Sequence, residues 1–387
     1  MPKRLAIVGW AQTKHERRKL LDNDWDLIYP TVKAALKDAG IRHDDIDVCV
    51  VGASDYLDGG GISNYTIGDG VGGQLKEEAK VSMDAAYAFI YAALRLLGGP
   101  FEIAIVSGYG KGSEGVDFHW QTHTLFDPFY GQAMGLDALS AAGLQASAYF
   151  HRFGVTEEQA ALVPIKNKGN AFRNPNAQVR KKLTVEQVMK SRPLMKPIKR
   201  EDACPISDGA AALVLATEER ARKLCRKTGH KPVWLLGMGH SQEAFSLGAR
   251  DLTVAKAAQA AAKRAYQMAR IKNPLNELDV AEVYEPFGFQ ELMWYEALGF
   301  CPPGQAAALL ERGVTKMGGK LPVNPSGGAL AANPMLATGL VRIIEAAAQV
   351  AGRAGPMQVK KRVKRALAAS TNGVALQNCA VFILGGS

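Results

Sequence analysis

Residues 321–342 read LPVNPSGGALAANPMLATGLVR, and this stretch sets the architecture. Gly327 and Gly328 predict a tight turn or a close backbone approach, because a residue without Cβ tolerates both. Asn333 followed by Pro334 predicts a helix start. The amide can cap free N–H groups, and proline suits the first helical position. From Pro334 to Gly352 the predicted helix is apolar on nearly every side, so it must be covered on every side. An earlier stretch, VSMDAAYAFIYAALRLLGG at 81–99, predicts a second such helix over Ser82–Gly99. Two helices of this kind in one chain imply a buried helix layer.

The surroundings of these helices repeat. A strand follows each of them, FEIAIVSG at 101–108 and AVFILGG at 380–386. TVKAALKDAGIRHDDIDVCVVGASD (31–55) and AAKRAYQMARIKNPLNELDVAEVYEPF (261–287) both run Ala-rich helix, short turn, acidic entry, strand. An apolar strand precedes each, RLAIVGW and VWLLGMGHS. Two copies of a βαβ-rich plan predict an α/β fold of two similar halves, residues 1–230 and 231–387. The layering expected is a duplicated α/β/α/β/α five-layer sandwich. Residues 115–200 have no counterpart in the repeat and predict a loop-domain insertion, a common carrier of binding function.

Composition narrows the classes. A chain of 387 residues with 47% hydrophobic and 22% charged residues is ordinary for a globular protein of two fused units. No apolar run reaches membrane-spanning length. The basic N-terminus lacks the features of a secretion signal, so the expected location is cytoplasmic. Five scattered cysteines with no CxxC pair argue against a disulfide framework or a structural zinc site, and no metal is expected in this chain. The net charge is +10, and residues 160–200 hold eleven Lys or Arg against one acid, Glu186. A second basic run is VKKRVKR at 359–365. These runs are either solvated faces or a site for a polyanionic small molecule. With almost no interleaved aromatics and no binding motif, a nucleic-acid surface is not expected.

The chain resembles the thiolase superfamily over essentially its whole length, nearest the branch of archaeal and sterol-carrier-type thiolases. The strings carrying the resemblance are ACPISDGAAALVLATEERA (203–221), DVAEVYEPFGFQELMWYEALGF (279–300), residues 321–342, and STNGVALQNCAVFILGG (370–386). The resemblance implies a homodimeric core and coenzyme A thioesters as substrates. Some members of the branch also assemble with a small zinc-ribbon/OB-fold partner, which here would give a heterotetramer.

Three positions depart from the family's chemistry. Ser82 stands where a thiolase carries its nucleophilic Cys, at a helix start whose dipole would activate a thiol. It is either an N-cap or a weak nucleophile. Asn333 stands at the family's GHP histidine. An amide cannot act as a base, but it can donate to a thioester oxygen, and it can also cap a helix. Tyr284 opens YEPF where relatives carry HDCF or NEAF. Its hydroxyl could hold a substrate oxygen, and Glu285 is a candidate general base if buried. The alternatives are a packed Tyr284 and a Glu285 paired with lysine. Asn372 matches the Asn of the family's late loop, and it joins Gly327 and Gly328 as a candidate cofactor-binding residue. His119 and His123, at i,i+4 spacing, suit either a metal or loop packing. Cys301 is a candidate displaced nucleophile or a small apolar residue.

With no acyl-cysteine and no shuttling histidine, the expected reaction makes or breaks a C–C bond beside a CoA thioester without a covalent acyl-enzyme. Retro-aldol cleavage needs only a base and an oxyanion hole. One alternative is a specialised degradative thiolase working by direct CoA attack on an aromatic or dicarboxylic β-ketoacyl-CoA. The other is a non-catalytic thiolase-like subunit of an acyltransferase complex.

Overall fold

The computed structural model describes residues 3–55, 64–114 and 117–386. Its strands are β1 (Leu5–Gln12), β2 (Val48–Gly52), β3 (Glu77–Val81), β4 (Ile103–Lys111), β5 (Pro193–Met195), β6 (Ile198–Lys199), β7 (Asp208–Thr217), β8 (Val233–Gln242), β9 (Val280–Val283), β10 (Arg365–Asn372) and β11 (Asn378–Gly385). β5 and β6 form a small hairpin, and the other nine make one hydrogen-bonded array in the order β3-β2-β4-β7-β1-β8-β11-β10-β9. The halves join where β1 meets β8 antiparallel, Ala6 opposite Trp234 and Ile7 opposite Val233. The principal helices are α1 (Asp24–Ala39), α2 (Ala85–Gly98), α3 (Phe118–His123), α4 (Ala138–Phe153), α5 (Glu157–Asn170), α6 (Glu218–Thr228), α7 (Lys256–Ala269), α8 (Gly288–Ala297) and α9 (Thr338–Ala351).

Strand alternation distributes the apolar residues among the layers. Leu5, Ile7, Val48 and Val50 face a core shared with α2 and α9, while Ala6, Val8, Cys49 and Val51 face α1 and α6. In the second half Ala366, Ala368 and Phe382 face the α2/α9 core, and Leu367, Val381 and Ile383 face α7 and α8. The layers therefore run α1/α6, first-half strands, α2/α9, second-half strands, α7/α8. This is the expected five-layer sandwich, with both apolar helices in its central layer.

Two local expectations need correction. The helix expected from Pro334 begins at Thr338, after a 3-10 turn at Met335–Ala337, and no side chain caps it. The Asn333 side chain is held elsewhere by hydroxyl groups, so it does not cap. The early helix is also not covered on every side, because Tyr91 and Leu94 are exposed, Leu94 by 54%. Between β4 and β7 the chain forms α3, α4, α5, a short helix Val185–Met189 and the β5–β6 hairpin.

Candidate active site

Tyr284 follows β9, and its backbone N–H donates to Ala369 O on β10. The ring is buried, and its hydroxyl donates to Asn333 Oδ1 at 2.8 Å. Thr338 Oγ1, at the start of α9, donates to the same oxygen at 2.8 Å. Two hydroxyls on Oδ1 fix the amide's orientation and turn Nδ2 toward Cys204 Sγ, 3.2 Å away. The backbone is clamped as well. Asn333 N–H donates to Ser207 Oγ and Ser207 N–H donates to Asn333 O, both at 3.0 Å. The segment entering β7 thus locks the 321–342 loop in place.

Asn333 and Cys204 open into a cleft of ≈ 910 Å³. Phe287, Leu139, Leu194 and Ile206 supply apolar wall, and His119, Asp137, Arg17, Arg18, Arg192 and Arg200 supply polar rim. Burial drives the Tyr284 hydroxyl well above its ordinary range, so it is a neutral hydrogen-bond donor. Burial, with the nearby Glu285 carboxylate, pushes the Cys204 thiol up to about 12, although the Asn333 hydrogen bond pulls the other way. A thiol so raised stays protonated near neutral pH and is a poor nucleophile.

The Glu285 carboxylate does not line this cleft. It is fully buried, accepts from Asn167 Nδ2 and Asn324 Nδ2 at 2.9 Å each, and takes Leu330 N–H at 3.2 Å. The same two amides bridge to Glu291 at 2.7 Å, and Glu291 pairs with Lys166 at 2.8 Å. Burial and the Glu291 charge raise the Glu285 carboxyl. Its partners are amides and a second acid, and the lysine goes to Glu291. As a general base acting in the cleft, Glu285 is therefore corrected by position: it braces the loop that carries Asn333.

Gly327 and Gly328 adopt φ of +100° and +65°. A Cβ on Gly328 would lie 2.1 Å from Glu285 Oε1, and one on Gly327 2.9 Å from Ala171 Cβ. Their role is close approach to the Glu285 network and α5, and neither lines the cleft. Asn372 also lies away from it. Its Oδ1 accepts Asp84 N–H at 3.1 Å, tying the end of β10 to the entry of α2.

Ser82 is exposed on the bend between β3 and α2 and does not line the cleft. The N-cap is Asp84 instead, because α2 starts at Ala85 and the Asp84 carboxylate accepts Ala86 N–H at 2.8 Å. That carboxylate is buried, and it also accepts Gly339 N–H at 2.8 Å and Ser370 Oγ at 3.0 Å. Burial raises it to about 7 against three opposing hydrogen bonds. One acid therefore ties α2, α9 and β10 together behind Tyr284.

The basic run divides in two. Lys166 and Lys168 are buried, Lys166 donating to Val323 O and Glu291, Lys168 to Glu201. Arg192 and Arg200 are exposed and line the cleft beside Arg17 and Arg18. His123 Nδ1 meets Leu136 O at 2.8 Å, and His119 Nδ1 meets Asp137 Oδ2 at 2.6 Å, so both histidines contact the loop before α4. Among the described residues no group of three His, Cys, Asp or Glu could hold a metal ion. Cys301 lies after α8, outside the cleft, and burial raises its thiol to about 12. Sequence reasoning missed Cys204, Thr338, Asn167 and Asp137. The one legible signal was the spacing of Asn167, Asn170 and Asn174, three and then four residues apart. Asn170 and Asn174 donate to Asn324 O and Ser326 O at 3.0 and 2.9 Å.

Comparison with known proteins agrees with this architecture. The thiolase C-terminal domain-like family matches residues 237–386. An acetyl-CoA acetyltransferase of Methanothermobacter thermautotrophicus is 33% identical over 92% of this chain and 93% of its own. Benzoylsuccinyl-CoA thiolase subunit BbsB of Thauera aromatica is 30% identical over 59% of each chain. A solved Ltp2-ChsH2(DUF35) aldolase superposes with a TM-score of 0.84 at 25% identity, covering 99% of this chain and 98% of that one. The chain belongs to the thiolase superfamily. No helix of the described residues is long and apolar enough to cross a membrane.

Proposed function

We propose that this protein cleaves or forms a C–C bond beside a CoA thioester without an acyl-cysteine, most simply by retro-aldol cleavage of a 3-hydroxyacyl-CoA. The observation that carries the reading is the Asn333 amide. Two hydroxyls hold its oxygen, so its N–H₂ is the end offered to the cleft. A donor fixed before the reaction stabilises a thioester enolate at little reorganisation cost. Tyr284 acts here as a positioning residue, and Cys204 supplies wall. Arg17, Arg18, Arg192 and Arg200 would meet the phosphates of coenzyme A. The similarity to an Ltp2-ChsH2 aldolase supports the aldolase reading. The similarity to a benzoylsuccinyl-CoA thiolase subunit supports a second reading, thiolysis by direct CoA attack.

Assembly belongs to the same proposal. The exposed stripe of Tyr91 and Leu94 beside the edge strand β3 supports a homodimer. Exposed Phe129, Tyr130 and Met134 support a face for a small OB-fold subunit. The test incubates the full chain, alone and with such a subunit, with panels of 3-hydroxyacyl-CoA and 3-ketoacyl-CoA esters. Retro-aldol cleavage releases a carbonyl compound and a shortened acyl-CoA with no added CoA, whereas thiolysis requires added CoA. Turnover of neither panel would leave the non-catalytic subunit as the better reading.

A further inference from the structure

Retro-aldol chemistry needs a base for the β-hydroxyl, and neither member of the Tyr284–Glu285 pair supplies one. Tyr284 is a neutral buried hydroxyl and Glu285 is walled off. The cleft holds another candidate on its insertion side. From His119, on α3, and Asp137, just before α4, we infer that the His119–Asp137 pair is the general base of this cleft, deepening the reading above. His119 Nδ1 lies 2.6 Å from Asp137 Oδ2, and both residues line the cleft that Asn333 opens into.

The geometry assigns the tautomer. Asp137 is 5% exposed, and its Oδ1 caps α4 by accepting Ser140 N–H at 2.7 Å and Ser140 Oγ at 2.6 Å. Burial alone would raise this carboxyl, but the Ser140 and His119 hydrogen bonds hold it below its ordinary value, so it is ionised. An ionised carboxylate only accepts, so the proton of the 2.6 Å contact belongs to Nδ1 and the free lone pair to Nε2. The imidazole side chain is 52% exposed, against 7% for its partner carboxylate. His123 stacks on one side, ring centroids 6.2 Å apart, and Trp120 packs edge-on at 5.3 Å. A capped helix therefore anchors the acid, the acid orients the imidazole, and aromatic packing limits its rotation. The arrangement follows the nucleophile-free part of triad logic, a base oriented by a third group.

The step balances within the substrate. His119 Nε2 takes the β-hydroxyl proton, the C–O bond becomes C=O, and the Cα–Cβ bond breaks. Its electron pair passes to the thioester enolate, whose oxygen receives the Asn333 Nδ2 hydrogen bond. The imidazolium then returns the proton to Cα, giving a carbonyl compound and the shortened acyl-CoA. No oxidant, reductant or added nucleophile is consumed.

The experiment compares the full-length wild type with His119→Gln, Asp137→Asn and the double variant on a 3-hydroxyacyl-CoA ester that the wild type cleaves. Removing a positioned base should lower kcat about 100-fold or more, with KM changed less than about threefold. Asp137→Asn should lower kcat in the wild-type background and have little further effect in His119→Gln, a non-additivity that loss of a helix cap would not produce. In parallel, the wild type is treated with diethyl pyrocarbonate, with and without a saturating CoA ester. Protection of His119 is expected, with exposed His151 as the unprotected reference. A His119→Gln rate within about threefold of wild type, or equal modification of His119 with and without ester, overturns this inference and leaves the proposed function standing. A wild type that cleaves no ester overturns both.

Discussion

Replacing Asn333 with Ala removes three contacts at once, and their sizes can be worked out separately. The two hydroxyls now on Oδ1, from Tyr284 and Thr338, would be left buried without an acceptor. Each orphaned buried group costs about 1–3 kcal/mol, so stability should fall by roughly 2–6 kcal/mol. The contact to Cys204 Sγ adds little, because sulfur is a weak partner. An unfolding entropy of roughly 2.1 cal/mol/K per residue over 387 residues makes about 0.8 kcal/mol equivalent to one degree. The melting temperature should drop by about 2–7 °C. Turnover should fall more steeply, about 100–1000-fold, the usual cost of losing one preorganised oxyanion donor. KM should stay near wild type, since the contact strengthens mainly in the transition state. The assay is steady-state cleavage of a CoA ester well below the variant's melting point, alongside calorimetry. A variant that melts as calculated but turns over at the wild-type rate refutes the oxyanion role while leaving the hydrogen-bond geometry intact. A variant that melts like wild type refutes the geometry itself.

Three further outcomes are expected. Ser82→Ala and Cys204→Ala should both keep turnover within about threefold of wild type, because one residue is exposed away from the cleft and the other is a protonated thiol; an acyl adduct on either, seen by mass spectrometry, contradicts this. Asp84 is raised from its ordinary 3.8 to about 7 by burial. Its neutral form therefore stabilises the fold fully at low pH, and that contribution is lost as pH rises through about 7. The melting temperature of Asp84→Asn minus that of wild type should accordingly increase between about pH 4 and about pH 7 and level off above it, and a flat or falling difference over that window counts against it. Lys166→Met leaves Glu291 buried beside Glu285 without its cation, and should cost about 3–5 kcal/mol in denaturant unfolding, with Lys190→Met on the exposed Glu186 pair costing under about 1 kcal/mol.

The layered fold was legible because it is written in periodicity. A helix apolar on nearly all faces, occurring twice, has few stable arrangements other than a central layer between sheets. Strand alternation then assigns each residue a side, as Leu5 and Ile7 against Ala6 and Val8 demonstrate. The lack of a cysteine or histidine in VSMDAAY (81–87) and NPMLATG (333–339) was legible too, since a residue's identity needs no coordinates. Direction and partnership were not. Tyr284 and Asn333 lie 49 residues apart and share a hydrogen bond only because β9 and the 321–342 loop converge. Glu285 sits next to Tyr284 in sequence, yet successive side chains after a strand point to opposite sides, so one meets Asn333 and the other the buried amides of Asn167 and Asn324. Lys166 and Arg200 look alike as members of one basic run. The phase of α5 buries the first against Glu291, whereas the second follows the β5–β6 hairpin and lies on the cleft. Sequence fixes which groups exist and how each element alternates. Only the packing of distant elements decides which groups meet, because burial, hydrogen bonding and charge coupling depend on separations in space.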